Sequence, residues 1–400
     1  MRAIRTLVLS GGGGRGAFQA GVYDYLSQAV KPGITDEYRG PWIPDIIVGT
    51  SIGAVNGAAI VQGIDPEEII DFWESVREED IEGLPPNMSG FTRMITNAIL
   101  KPLIGVHLPK VPARIAVSTT PPGDSEWKLL PGLGKWADLI LGRWSNLLDN
   151  GPLLHTIGKP TSGSKRKQLG LDEEKIAQSE KILLINTTDI RTGQRVTFSN
   201  HPVQKRSITG LNRPEIITGI TLNRIRASAS IPIVYPWTYD KATNSYYWDG
   251  AVVANTSMGG ALDAASRFND EYDMEIIVVL MTPWRRNDEL HPDDQPELPR
   301  NFGEAASWAL DWSLLAPFRE QLKLIEVCNQ LREIALKSDD PEIHKYRKFR
   351  KVRYPIIIAP EGFTLATRII DYDTRNKELI KEGRRAASKV FKEKYGAQKK

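Results

Sequence analysis

The sequence predicts an α/β fold built on a largely parallel sheet. The segment up to Gln62 alternates strand, glycine loop, helix, strand, tight turn and helix, an order that sets helices against parallel strands. The 400 residues suffice for one large α/β domain with additions, or for two modest domains. A hydrophobic content of 41% beside 25% charged residues is that of a globular chain with a sizeable core.

Residues 4–9 are a β-branched and aliphatic run that ends at a glycine cluster, and they read as a buried strand. Residues 17–30 carry helical spacing, with Phe18, Val22, Leu26 and Val30 on one side. Residues 43–48 form a second predicted strand, and residues 52–62 a helix rich in small side chains that allow close packing. Residues 65–79 read as one acidic amphipathic helix, with Pro66 in its first turn. The stretch from 85 to 175 mixes prolines and glycines with Leu- and Trp-rich pieces such as WADLILGRWSNLL, and 161–168 reads as an exposed loop. Residues 181–187 and 195–199, joined through Arg191-Thr192-Gly193, predict a hairpin. Further strands are expected at 246–248, 275–281 and 354–359, and a helical stretch at 302–336.

A net charge of +3 gives no reason to expect nucleic acid as a partner. The charge is uneven, however. Lys381, Arg384, Arg385, Lys389, Lys392, Lys394, Lys399 and Lys400 face only Glu382 and Glu393 over the last twenty positions. That segment reads either as a solvated terminal helix with a frayed end or as a patch for anionic lipid headgroups. Cys328 is the only cysteine, which excludes an internal disulfide and a cysteine-based zinc site and fits a cytoplasmic location. The start, MRAIRTLVLSGGGG, has too short an apolar run for a signal peptide. Residues 46–64 carry no charge, but Gly49, Thr50, Ser51, Gly53, Asn56 and Gly57 mark them as strand, turn and helix, not a membrane span.

Two loops could carry chemistry. Gly11-Gly12-Gly13-Gly14-Arg15-Gly16 lies between a strand and a helix, where glycines admit a ligand close to the amides and the helix end favours negative charge. The spacing also matches a dinucleotide fingerprint, which would need an acid at the end of the second strand. Asp36 and Glu37 are near the required distance but sit in a loop. Gly49-Thr50-Ser51-Ile52-Gly53 occupies the strand-to-helix context of a nucleophile elbow, with Ser51 Oγ at the top of the sheet.

A serine nucleophile needs a base. In a Ser-Asp-His α/β-hydrolase, His291 or His344 would serve, but such folds place several strands before the serine and only two precede Ser51. His107, His155, His201, His291 and His344 are therefore read as structural. The other candidate is Asp249, which ends the apolar run Tyr246-Tyr247-Trp248 and precedes Gly250 and Ala251. Burial beside aromatic rings raises a carboxylate's pKa and strengthens it as a base; the competing reading is a plain Asp-Gly turn.

Together the blocks GGGGRG, GTSIG, ASASIP (227–232) and DGA (249–251), with Asn255 beyond, resemble the patatin-like phospholipase family over roughly residues 5–282. The stretch from 85 to 175 matches poorly. The resemblance implies a three-layer αβα sandwich and a Ser-Asp dyad without histidine, with Ser51 as nucleophile and Asp249 as base. It implies an oxyanion hole in the loop of Gly11, Gly12, Gly13 and Gly14, drawn from the last three amides in particular. Arg15 holds that loop, and Gly16, Gly49, Ile52, Gly53, Gly250 and Ala251 support the two turns. The implied substrates are fatty-acyl esters of phospholipids, lysophospholipids or acylglycerols, and no metal or cofactor is expected; such substrates and the basic tail fit a cytoplasmic protein that works peripherally at a membrane surface. The expected organisation is a catalytic domain over 1–285 with a variable, lid-like insert near 85–175. A mostly helical extension over 286–400, packed on that domain, would end in the basic tail.

Overall fold

The computed structural model describes residues 3–29, 41–83, 146, 148–160, 167–203, 215–284, 298–299, 302–361, 372 and 375–396. Among the described residues nine strands form one sheet: β1 (Ile4–Leu9), β2 (Ile46–Thr50), β3 (Ile182–Asp189), β4 (Arg195–Ser199), β5 (Glu215–Thr218), β6 (Thr238–Asp240), β7 (Ser245–Asp249), β8 (Met274–Val279) and β9 (Ile356–Ile358). The main order is β5-β4-β3-β2-β1-β8-β9, and β6 and β7 attach through β3. From β3 to β9 every neighbouring pair on that path is parallel. The expected hairpin is present as the antiparallel pair β3–β4.

Helices cover both faces. In chain order they are α1 (Gly16–Ala29), α2 (Ile52–Gln62), α3 (Pro66–Ser75), α4 (Glu78–Ile81), α5 (Gly151–Ile157), α6 (Glu173–Gln178), α7 (Leu222–Ser228), α8 (Ala251–Ala254), α9 (Gly259–Ala264), α10 (Phe302–Lys337) and α11 (Asn376–Gly396). Successive side chains of a strand point to opposite faces. Leu7, Leu9, Ile47, Leu183, Ile185, Ile277 and Val279 accordingly join the core under α1, α2, α3 and α11. Ile4, Val8, Ile46, Val48, Ile182, Leu184, Ile276 and Val278 join a second core under α9 and α10. The result is the expected three-layer sandwich. It explains why these strands read as largely apolar runs without strict alternation: parallel strands buried on both faces have no polar side.

Two expectations change in detail. The single helix expected at 65–79 is two. Asp65 caps α3 by accepting from the Glu67 amide at 2.9 Å, but Val76 and Arg77 take extended backbone, and Val76 turns into the core. The Arg77 amide then donates to Asp80 Oδ2 at 2.8 Å, starting α4 afresh. The second strand also runs further than expected, through Thr50, so it delivers the chain to Ser51 without a break. Most of the insert expected near 85–175 lies outside the described residues. Its described parts hold α5 and α6 before the chain enters β3.

The chain beyond residue 285, expected as a helical extension, adds β9 to the sheet and α11 to the core. Leu379, Ile380, Ala386, Ala387 and Phe391 are buried, and Phe391 stacks on Tyr25 with ring centroids 6.0 Å apart. α1 and α11 touch backbone to backbone. A Cβ at Gly21 would stand 2.1 Å from the Ile380 carbonyl oxygen, and one at Gly383 would stand 2.1 Å from that of Phe18. Some of the basic charge is paired: Arg384 reaches the buried Asp24 at 2.5 Å, and the exposed Lys389 and Arg385 approach Glu361 at 3.1 and 3.8 Å. The first turns of this segment therefore belong to the fold and not to a solvated tail. Among the described residues no helix is long and apolar enough to cross a membrane.

The close crossing gives a direct check. Gly383→Ala must push α1 and α11 apart and should cost roughly 1–3 kcal/mol, the usual penalty for overpacking. Thermal denaturation should show a lowered midpoint for Gly383→Ala and an unchanged one for the exposed Lys381→Ala. Equal midpoints for both would mean that the helices do not meet at Gly383.

Candidate active site

The position of the site follows from strand register on β3. One edge of β3 pairs with β4 from Leu184 to Thr188. The other edge serves two strands in turn. Ile182 to Asn186 pair in parallel with β2, and Thr187 to Asp189 pair antiparallel with β7. Thr50 lies opposite Asn186, and Asp249 lies opposite the next residue, Thr187. The ends of β2 and β7 therefore meet, and Ser51, one residue past Thr50, arrives beside Asp249.

Ser51 takes φ 57° and ψ −126°, a backbone region that costs a non-glycine residue about 1–3 kcal/mol and persists only when its surroundings enforce it. The enforcement is visible. The Ser51 amide donates to Ser228 Oγ at 2.8 Å, and Ser228 Oγ donates to the Asn186 carbonyl at 2.7 Å. Asn186 Nδ2 donates to Thr50 Oγ1 at 3.0 Å. The turn is so tight that a Cβ at Gly49 or Gly53 would fall 2.4 Å from a backbone oxygen, that of Gly53 or Leu9 respectively. Ile52 is buried in the core at the start of α2, and the Ala54 amide accepts its place in the helix by donating to the Ser51 carbonyl at 2.9 Å.

Asp249 ends β7 and is 2% exposed. Its amide donates to the Ser230 carbonyl at 2.9 Å, and its own carbonyl accepts from Thr188 Oγ1 at 2.9 Å. The Ala251 amide donates to Oδ1 at 2.8 Å. Gly250 lies against β3, where a Cβ would stand 2.3 Å from the Asn186 carbonyl oxygen. Burial pushes the carboxyl up to about 7, while hydrogen bonds from the Ser51 side chain and the Ala251 amide pull the other way. The arrangement joins a hydroxyl to a carboxyl that stays protonated in mild acid and ionises near neutrality.

The glycine loop faces the same point. A Cβ at Gly11 would stand 2.9 Å from Ser51 Cβ. The Gly11 amide, expected among the oxyanion-hole donors, instead donates to Asn255 Oδ1 at 2.7 Å. The amides of Arg15 and Gly16 turn back on the carbonyls of Gly12 and Gly13. Arg15 is buried and donates through Nε to the Gly12 carbonyl at 3.0 Å and through Nη1 to the Met281 carbonyl at 2.8 Å. Beneath the loop, Gly16 packs on Trp73, and Asn56 ties the two together by donating to the Gly16 carbonyl at 3.0 Å and accepting from Trp73 Nε1 at 2.9 Å.

The described histidines lie elsewhere. His201 Nε2 is 2.7 Å from the Ser179 carbonyl, before the start of β3, and His344 Nε2 is 2.9 Å from the Ser338 carbonyl past the end of α10. His155 sits in α5. His107 and His291, with Asp36 and Glu37, are outside the described residues. Sequence reasoning missed Asn186, and also Asp311, whose Oδ1 lies 3.7 Å from Arg15 Nη2. Asn186 carried no signal beyond its place in a strand, and Asp311 none beyond its place in a helix. Among the described residues no group of three or more His, Cys, Asp or Glu side chains could hold a metal ion.

The Patatin family model, described as patatin-like phospholipase, matches residues 7–262, more than half of the chain. The chain belongs to the patatin-like phospholipase family. The matched span contains the glycine loop, Ser51 and Asp249, and the family carries lipid acyl hydrolase activity. No curated protein matches the chain. Among solved structures, VipD from Legionella pneumophila aligns over 98% of this chain and 67% of its own, at 12% identity and a TM-score of 0.37. At that score the alignment adds nothing about the site of this patatin-like chain.

The raised Asp249 pKa has a consequence for stability. Folding lifts it from 3.8 to about 7, so the native state holds a proton that the unfolded chain releases. The contribution of this group to stability is then fully present below its unfolded value of 3.8 and is lost as pH rises through about 7, by on the order of 4 kcal/mol. Asp249→Asn removes the ionisation and keeps the shape. Its thermal midpoint should exceed that of the parent protein at pH 8, and the difference should vanish near pH 4. A constant difference across that range would contradict a buried, perturbed carboxyl.

Proposed function

We propose that this family member hydrolyses fatty-acyl esters of phospholipids, lysophospholipids or acylglycerols through a Ser51–Asp249 dyad. The single observation that carries the reading is the register of β3, which sets Asp249 beside a serine in strained backbone at a strand-to-helix turn. The pKa of about 7 supports it, because a general base works best when its pKa lies near the operating pH.

In the proposed reaction the Asp249 carboxylate takes the proton of Ser51 Oγ as that oxygen attacks the ester carbonyl carbon. The carbonyl oxygen becomes an oxyanion facing the glycine loop. With the Gly11 amide taken by Asn255, the donors proposed for it are the amides of Gly12, Gly13 and Gly14, at the N-terminal end of α1. One such donor contributes about 3 kcal/mol to the transition state. The tetrahedral species collapses, the bond to the alcohol breaks, and the proton held by Asp249 passes to the departing oxygen. Water then attacks the acyl-serine, with Asp249 again taking a proton, and the fatty acid leaves as Ser51 Oγ recovers its hydrogen. No histidine takes part.

A fluorophosphonate probe should label the protein, and Ser51→Ala should abolish labelling. Asp249→Asn should lower ester turnover by on the order of 10³-fold or more, while His201→Ala and His344→Ala leave it within about twofold. Because Asp249 acts as the carboxylate, kcat/KM should rise about tenfold per pH unit below 7 and level off above it. Full labelling of Ser51→Ala, or a histidine variant as inactive as Asp249→Asn, would remove the dyad from consideration.

A further inference from the structure

We infer that Asp311 is a positioning residue for the oxyanion loop, which makes α10, a helix beyond the family-matched span, part of the catalytic centre. The inference rests on the hydrolase reading above. Its starting point is the guanidinium of Arg15, which is 1% exposed and reaches three parts of the chain at once. Nε donates to the Gly12 carbonyl at 3.0 Å, Nη1 donates to the Met281 carbonyl just past β8 at 2.8 Å, and Nη2 lies 3.7 Å from Asp311 Oδ1.

The first of these contacts bears on catalysis through peptide geometry. A peptide unit is planar and trans, so the Gly12 carbonyl and the Gly13 N–H point in opposite directions along one rigid plane. Holding the Gly12 oxygen therefore aims the Gly13 N–H. Gly13 itself has φ 55°, a region in which glycine resists little, so the loop needs an external restraint to keep that aim. Arg15 is the restraint, and its planar fork serves several acceptors only while the guanidinium plane is fixed.

Asp311 fixes the plane. It is 1% exposed, and Thr282 Oγ1 donates to its Oδ1 at 3.2 Å, the same oxygen that faces Arg15. Its other oxygen, Oδ2, has no hydrogen-bond partner. A carboxylate that is buried with one oxygen unpaired is costly to keep unless its charge is needed. Here it balances the guanidinium and pulls it away from any alternative acceptor. Burial pulls Arg15 down from its ordinary pKa and lifts that of Asp311, and each opposes the other's shift, as expected of a pair sharing one dry site.

The test uses the full-length protein and a soluble short-chain p-nitrophenyl ester. Asp311→Asn keeps the shape and removes the charge. It should lower kcat by on the order of 10- to 100-fold with KM within about twofold, since the interaction lost is made in the transition state. A trifluoromethyl ketone, which forms an oxyanion on a nucleophilic serine, should bind more weakly by the same factor. The pH dependence of kcat/KM should stay centred near 7, because the base is untouched. Asp311→Glu should recover part of the loss. A folded Asp311→Asn protein with parental kcat, or a loss confined to KM, overturns the inference. If Asp311→Asn fails to fold, Arg15→Met with Asp311→Leu removes both charges together. The inference expects that double variant to fold and to stay slow, and parental kcat in it would reduce the pair to a structural staple. Parent protein that neither hydrolyses the ester nor binds the ketone overturns the hydrolase reading and this inference with it. An active parent with an unaffected Asp311→Asn overturns this inference alone.

Discussion

One edge of β3 carries two strands, and the candidate site depends on that arrangement. β2 arrives in parallel and stops opposite Asn186; β7 arrives antiparallel and stops opposite Thr187. A parallel strand alone would bring a serine to the top of the sheet with nothing beside it. The antiparallel addition supplies the carboxyl from the opposite direction, already inside the protein. A register slip of one residue in β7 would turn Asp249 to the other face of the sheet. That register is held at both ends of the residue, by the Asp249 amide on Ser230 and by Thr188 Oγ1 on the Asp249 carbonyl.

The strain at Ser51 is tolerable because the elements around it cannot move independently. β1, β2 and β3 are buried on both faces, so the strand feeding the turn is clamped between two cores. Ser228 then ties the Ser51 amide to the Asn186 carbonyl, so the same β3 residue that pairs with β2 also steadies the turn. The segment 227–232 thus works on both partners: Ser228 holds the serine's backbone and the Ser230 carbonyl holds that of the aspartate. The cost of the site, a non-glycine residue at positive φ and a carboxyl away from water, is offset by the packing of the whole sandwich.

Much of the fold was legible in the sequence because its strands are buried on both faces. Runs such as Ile4–Leu9 have no polar alternation to confuse with surface, and the glycine loop and GTSIG turn punctuate them. Ser51 and Asp249 could be singled out because each stands at the end of an apolar run and is followed by the start of a turn or helix. What was not legible is what depends on distant pairing. Asp311 is one acid in a helical pattern, and its meaning lies in a contact with Arg15 near the start of the chain. Neither did the sequence reveal that β7 joins β3, since its aromatic run would suit any half-buried strand. How closely α11 packs was not legible either, because its lysines and arginines dominate the segment. Its buried face sets Gly383, Ala386 and Ala387 among Leu379, Ile380 and Phe391, and those small residues announce a close helix crossing only once α1 is known to lie opposite. The loss of the Gly11 amide to Asn255 was hidden likewise, because a glycine loop does not declare which of its amides are already engaged.

In the proposed reaction an ester's acyl group passes through Ser51. The most direct test is to mix the protein with a slowly hydrolysed activated ester, quench in acid during turnover and map the modified peptide by mass spectrometry. Acyl transfer through Ser51 requires an increase equal to one acyl group on the peptide carrying Ser51, formed and then lost as substrate runs out. Steady hydrolysis with no adduct on that peptide, or with the acyl group on another residue, would contradict it.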